Sequence, residues 1–232
     1  AGGWLAQSLP CLAGAVGPPR LRTGYWRIRG LGAPMRMMCS YSGVDWEDVK
    51  HDPGCENQAP ELPYVVNRLT GERTSESCAV ALHLGRLLGL AGTTKESRLA
   101  NEHALLYAHG MWSGILDLTR PPGQEQCDDV RLDAFLGSLP AHYGRLEGWL
   151  AQRGTGFFAG WSPCSADFYI WEALDQNERL ARLRSRQSPL RAAAGFPLLA
   201  AYHATFKSLP RLRAYFGSAD ARLPICGAGP GE

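Results

Sequence analysis

Three short stretches carry side chains whose type and place along the chain can do chemistry. Tyr25 stands near the end of a β-favouring run, Arg22 to Ile28, and offers a phenolic O–H. Ser77 opens a helical stretch, where unpaired N–H groups and the positive end of the helix dipole favour an anion, and Glu76 beside it can accept from an ammonium group. Ser77 reads equally as a simple N-cap. Pro63, in Leu62-Pro63-Tyr64, reads as a proline in an extended segment, at home on a strand edge. The seven cysteines, Cys11, Cys39, Cys55, Cys78, Cys127, Cys164 and Cys226, are odd in number and form no CxxC, which fits free thiols in a reducing compartment. His103 and His109 belong to no HxxxH or HExxH pattern, so no metal site is expected.

The elements that must position these residues are readable from pattern. Arg22 to Ile28 is followed by the turn Arg29-Gly30-Leu31-Gly32 and by Pro34 to Ser42, whose apolar residues have helical spacing and whose proline suits a first turn. Val44 to Val49 alternates as a strand, His51 to Glu61 is turn chemistry, Leu62 to Asn67 is a third strand, and a short fourth lies around Thr74. A helix is expected over Ser77 to Leu88, with Gly89 ending it. The order β-α-β-β-β-α is followed by helical periodicity alone: Lys95 to Leu118, Val130 to Gln152, Ser165 to Leu183 and Leu198 to Phe216. Breaks fall at Pro121-Pro122-Gly123, Gly154 to Pro163 and Ser188-Pro189. The expected division is an N-terminal extension over 1–21, an α/β domain over 22–90 and an all-helical domain over 95–228.

Composition narrows the function classes. Twenty-four Lys and Arg against 22 Asp and Glu leave a net charge of +2, so no whole-protein field draws it to nucleic acid. No apolar run reaches the length of a transmembrane segment. The local exception is Arg179 to Arg191, with five arginines.

Tyr25-Trp26-Arg27-Ile28-Arg29-Gly30-Leu31, Leu62-Pro63-Tyr64, Glu76-Ser77, Phe157-Phe158-Ala159-Gly160 with Asp167-Phe168, and Pro210 to Pro224 resemble, in this order, the motifs of the glutathione transferases, nearest to the mu and sigma branches. The resemblance covers roughly residues 22 to 228. It implies a thioredoxin-like N-terminal domain plus an all-α C-terminal domain, glutathione as co-substrate, and a homodimer. Tyr25 would donate to the glutathione thiolate, lowering a thiol pKa that is otherwise near 8.5. Pro63 would carry a cis peptide bond and present the backbone of Leu62 to the cysteinyl backbone of glutathione. Glu76 and Ser77 would take the γ-glutamyl end, and Trp26 would line the peptide site. Gly32, Tyr107, Met111 and Ile225 are the expected second-site residues.

The chain also departs from those branches. The stretch between the second and third strands is short, His51 to Pro60, and offers no Trp, Arg or second Lys for the glycyl carboxylate, which leaves Lys50 or His51 to substitute and predicts weaker glutathione binding. His109 stands near the place where mu-branch subunits present an acid. Cys164 replaces the usual Ser or Thr three residues before Asp167, a loss that Ser162 or Ser165 could offset. The first expectation is therefore an enzyme conjugating glutathione to small electrophiles. The second is a non-catalytic accessory subunit of a larger assembly, docking through residues 1–21 and 179–191. Localisation is expected to be cytoplasmic, or an organelle (mitochondrion or plastid) if Ala1 marks a processed N-terminus.

Overall fold

The computed structural model describes residues 20–52, 61–119, 129–183, 186–190 and 195–225. Most of the extension 1–21, the loop residues 53–60, the Pro121-Pro122-Gly123 break, Arg184 and Arg191 of the arginine-rich stretch, and Cys11, Cys55, Cys127 and Cys226 lie outside the described residues.

Strand β1 (Leu21–Trp26) is buried along most of its length because it has neighbours on both sides. It pairs in parallel with β2 (Trp46–His51) and antiparallel with β3 (Tyr64–Asn67), which pairs antiparallel with β4 (Arg73–Ser75), giving the order β2-β1-β3-β4. A parallel pair needs a crossover, and helix α1 (Gly32–Ser42) supplies it. It ends at Gly43, whose φ of 71° suits a residue without Cβ and lets its N–H reach the carbonyls of Cys39 and Ser40. Helix α2 (Ser77–Leu87) completes this thioredoxin-like half.

The helical half holds α3 (Lys95–Thr119), α4 (Asp129–Arg153), α5 (Ser165–Leu183) and α6 (Pro197–Lys207). The single helix expected over Leu198 to Phe216 is broken: α6 stops at Lys207, and a 3-10 turn (Pro210–Leu212), α7 (Arg213–Gly217) and a second 3-10 turn (Asp220–Arg222) follow. Pro210 is the cause, since it lacks an N–H and forces Leu209 before it into an extended conformation, φ −54° and ψ 124°. Among the described residues no helix is long and apolar enough to cross a membrane.

Two helices lie at the centre. Every residue of α1 from Gly32 to Cys39 is buried, so this helix is enclosed on all sides, between the sheet and α5. Helix α5 is buried from its first residue through Leu174 and contacts α1, α2, α3 and α6. Its N-terminus needs partners for its free N–H groups. Ser165 N–H donates to the Leu90 carbonyl at 2.8 Å, Ala166 N–H to Asn101 Oδ1 at 2.9 Å, and Cys164 N–H to Asp167 Oδ2 at 2.8 Å. The cap that Cys164 does not supply thus comes from Asn101 on α3, not from Ser162 or Ser165. The Ser165 hydroxyl is itself engaged by the Asn101 side chain, at 3.0 Å from Nδ2.

Candidate active site

The register of the sheet gathers the candidate residues at one end. β1 runs toward Tyr25, and β2, parallel to it, arrives alongside with the pairs Tyr25↔Lys50 and Trp26↔His51. β3 starts from Tyr64, which pairs with Gly24, so Pro63 falls beside Tyr25 one step further along. β4 ends at Ser75, which pairs with Tyr64, so Glu76 falls beside Pro63 by the same step. The Ser75 hydroxyl donates to the Glu61 carboxylate at 2.7 Å, stitching the segment before Leu62 to the turn before Ser77.

Each residue has a distinct setting. The Leu62–Pro63 peptide bond is cis. Leu62 and Trp26 are half-buried, and the Trp26 carbonyl accepts from Arg36. Tyr25 is 6% exposed, and its ring lies against two glycines of the following turn. A Cβ on Gly32 would stand 2.5 Å from Tyr25 Cδ1, and one on Gly30 would stand 3.0 Å from the hydroxyl oxygen. Those glycines are what allow the turn to close over the ring. Glu76 has φ 70°, the single positive value among the described non-glycine residues. Such a conformation costs on the order of 1–3 kcal/mol and persists only where its surroundings enforce it. Ser77 next to it is buried and begins α2, whose N-terminus has no side-chain cap.

Lys50 reaches the same end of the sheet but is already engaged. Its Nζ lies 2.8 Å from Asp48 Oδ2 and 3.1 Å from Asp220 Oδ1, the latter in the C-terminal segment. Burial works against its charge, yet the two carboxylates outweigh burial and raise its pKa. Asp48 also takes a bond from the fully buried Arg36 guanidinium at 2.9 Å, and Arg36 donates to the carbonyls of Ile28 and Trp26. Lys50 therefore belongs to an internal charge network that holds the ends of β1 and β2. His51 packs edge-on to Tyr64, and its Nε2 is buried without a partner.

The turn after β1 is fixed from the helical half. Arg29, 5% exposed, makes a two-pronged pair with Glu172 at 2.9 and 2.8 Å and reaches Asp175 at 2.7 Å. Burial would raise the Asp175 pKa, but His203 and Arg29 overcome it and hold this carboxyl well below the usual range. The Arg29 N–H donates to the Pro224 carbonyl at 2.7 Å. A cavity of about 120 Å³ beside Arg29 is lined by Trp171, Asp175, Tyr215 and Phe216 but not by Tyr25 or Ser77, so it is distinct from the candidate site.

Of the expected second-site residues, Gly32 underlies Tyr25, while Met111 and Ile225 are buried. Tyr107 faces α4: its hydroxyl is 2.8 Å from His142 Nδ1 and its ring meets Trp149 edge-on. Three residues with no assigned role in the sequence reading prove central to the geometry. Arg29 appeared only as part of a motif, Glu61 as part of a turn, and Tyr169 only within the helix expected over Ser165 to Leu183, although its hydroxyl donates to the Ser77 carbonyl at 2.8 Å.

Comparison with known proteins bears on this arrangement. Residues 120–219 match the family model described as glutathione S-transferase, C-terminal domain. The chain is 26% identical to "Glutathione S-transferase Mu 1" of Oryctolagus cuniculus, covering 87% of this chain and 93% of that protein. It is 26% identical to the "class-mu 26 kDa isozyme 51" glutathione S-transferase of Fasciola hepatica, covering 85% and 88%. Among solved structures, the Pi-class glutathione S-transferase of Onchocerca volvulus superposes with a TM-score of 0.74 at 23% identity, covering 90% of this chain and 98% of the other. The glutathione S-transferase of Ascaris lumbricoides superposes at 0.70 with 26% identity, covering 86% and 97%. With the fold, the order of the motifs and these relatives in agreement, the chain is similar to the glutathione transferases over most of its length, and its sequence fits the mu branch.

Proposed function

We propose that this protein conjugates the thiolate of glutathione to small electrophiles. The observation that carries the reading is the convergence of Tyr25, the cis Leu62–Pro63 segment and the Glu76–Ser77 turn at one end of the sheet. In this reading the Tyr25 O–H donates to the sulfur and favours its ionised form, the nucleophile in the reaction. The backbone of Leu62 pairs with the cysteinyl backbone, and Trp26 lines the peptide. The uncapped first turn of α2, opened by Ser77, suits the γ-glutamyl carboxylate, and the exposed Glu76 carboxylate suits its ammonium group. Attack joins the sulfur to the electrophilic carbon, and the electron pair passes to the leaving group or to the polarised acceptor.

Lys50 takes part in glycyl-carboxylate binding only by exchanging Asp220 for the ligand. This supports the expectation of modest affinity. A homodimer through the outer face of α3, where Leu99 and Leu106 are 67% and 58% exposed, accompanies the proposal and is tested by sedimentation. The names of the relatives favour the enzyme over the accessory subunit.

The deciding experiment is Tyr25→Phe with several unrelated electrophiles. A hydrogen bond to a charged group contributes about 1.5–3 kcal/mol, so conjugation at pH 6.5 is expected to fall about 10- to 100-fold. The lower arm of the pH–rate profile moves toward the free thiol pKa. Unchanged rates in the variant, or no conjugation by the wild type, reject the reading.

A further inference from the structure

We propose that Tyr169, on α5, is a positioning residue that holds the γ-glutamyl-binding turn of this site in place from the helical half of the molecule. The inference rests on the functional reading above. It starts from a bond between residues 92 positions apart: the Tyr169 hydroxyl donates to the Ser77 carbonyl at 2.8 Å, in a buried setting.

A buried tyrosine must place its O–H somewhere, and a carbonyl in the first turn of a helix can accept a second donor beyond its helical one. What gives this pairing consequence is its location. Ser77 directly follows Glu76, whose φ of 70° requires outside support. Helix α2 has no side-chain cap of its own, so no neighbouring side chain braces its first turn at Ser77. The support comes from α5, which grips α2 near both ends. At the C-terminal end a Cβ on Gly85 would stand only 3.1 Å from Ser165 Oγ, and the Leu90 carbonyl just beyond accepts from Ser165 N–H at 2.8 Å. At the N-terminal end Tyr169 provides the grip.

Tyr169 is itself immobilised. It is wholly buried, and its carbonyl lies 3.4 Å from the donating Trp112 Nε1 on α3. Burial raises its pKa well above 10, with smaller contributions from Cys78 and Tyr25, so the hydroxyl remains a donor at any pH the protein experiences. The chain of contacts runs from Trp112 through Tyr169 to Ser77, and it ends on the turn that faces the ammonium and carboxylate of the ligand. It bypasses the sulfur, which belongs to Tyr25. Loss of the Tyr169 hydroxyl is therefore expected to weaken glutathione binding without slowing the chemistry of bound glutathione.

Tyr169→Phe removes one oxygen and keeps the ring. The expected result is a glutathione KM raised about five- to tenfold, the factor corresponding to one ordinary hydrogen bond, with kcat at saturating glutathione within about twofold of wild type. The pH–rate profile stays in place, unlike that of Tyr25→Phe. Amide hydrogen exchange over residues 77–80, measured without glutathione, becomes faster while exchange in α3 and α4 is unchanged. An unaltered KM, a fall in kcat at constant KM, or unaltered exchange over 77–80 overturns the proposal. A wild-type chain that binds no glutathione rejects the functional reading instead, and the exchange measurement on the unliganded protein separates that failure from failure of the anchor.

Discussion

Replacing Arg29 by Met tests how the two halves are joined. Arg29 is 5% exposed, and its partner Glu172 is fully buried, so the substitution strands one carboxylate in the interior and leaves Asp175 with His203 alone. Removing one member of a buried ion pair costs about 3–5 kcal/mol, most of it from the uncompensated charge that remains. Set against a total stability of about 5–15 kcal/mol, this is a large fraction. With a urea m-value of about 2–3 kcal/mol per molar, the unfolding midpoint falls by about 1–2 M. The pH dependence has a defined sign. In the wild type the Asp175 pKa is depressed, so its contribution is present above its unfolded value near 4 and is lost as pH falls through the folded one; between pH 5 and 8 it is constant. In the variant Asp175 loses the Arg29 contribution that helps hold its pKa down, so the deficit is largest where this carboxyl is ionised, at pH 8, and shrinks only as pH falls through its raised pKa. The double variant Arg29→Met, Glu172→Gln is expected to recover more than half of the loss. A deficit below about 1 kcal/mol at pH 8, or one that grows as pH falls, refutes the reasoning.

Two further outcomes follow from the geometry. Gly32→Ala places a Cβ 2.5 Å from Tyr25 Cδ1 and 2.9 Å from Tyr25 Cβ, so the ring must shift; kcat for conjugation is expected to fall at least about tenfold and stability by about 1–3 kcal/mol, as steady-state kinetics and urea denaturation on one preparation will show. Asn101→Ala removes the acceptor for Ala166 N–H and leaves that group buried, so a loss of about 1–3 kcal/mol is expected in urea unfolding, and a loss under about 0.5 kcal/mol excludes the cap.

Local pattern carried much of the architecture. The strands around Tyr25, Val49, Val65 and Thr74 and the helices over Ser77 to Leu88 and Ser165 to Leu183 could be read from periodicity and turn residues, because those signals act within a few positions. Tyr25, Pro63 and Ser77 were legible as a set only through their family resemblance. What was not legible depended on packing between distant segments. Glu172 looks in sequence like any polar helical residue, yet it is fully buried opposite Arg29. Nothing around Cys164 announces that Asn101, 63 positions earlier, caps the same helix through Ala166 and Ser165. Lys50 looked available for a ligand because Asp220 lies far along the chain, beyond the helix expected over Leu198 to Phe216, and nothing local shows that the segment after the break at Pro210 returns to β2.

The enclosure of α1 matters for how the protein is made. When the ribosome has released the α/β half, the helix from Gly32 to Cys39 still lacks α5, the element that covers its outer side. At about 5–20 residues per second, that apolar surface waits roughly 4–20 s for α5 to emerge. The nascent chain over this interval is a natural client for a chaperone, and a fragment ending near residue 90 is expected to aggregate when expressed alone.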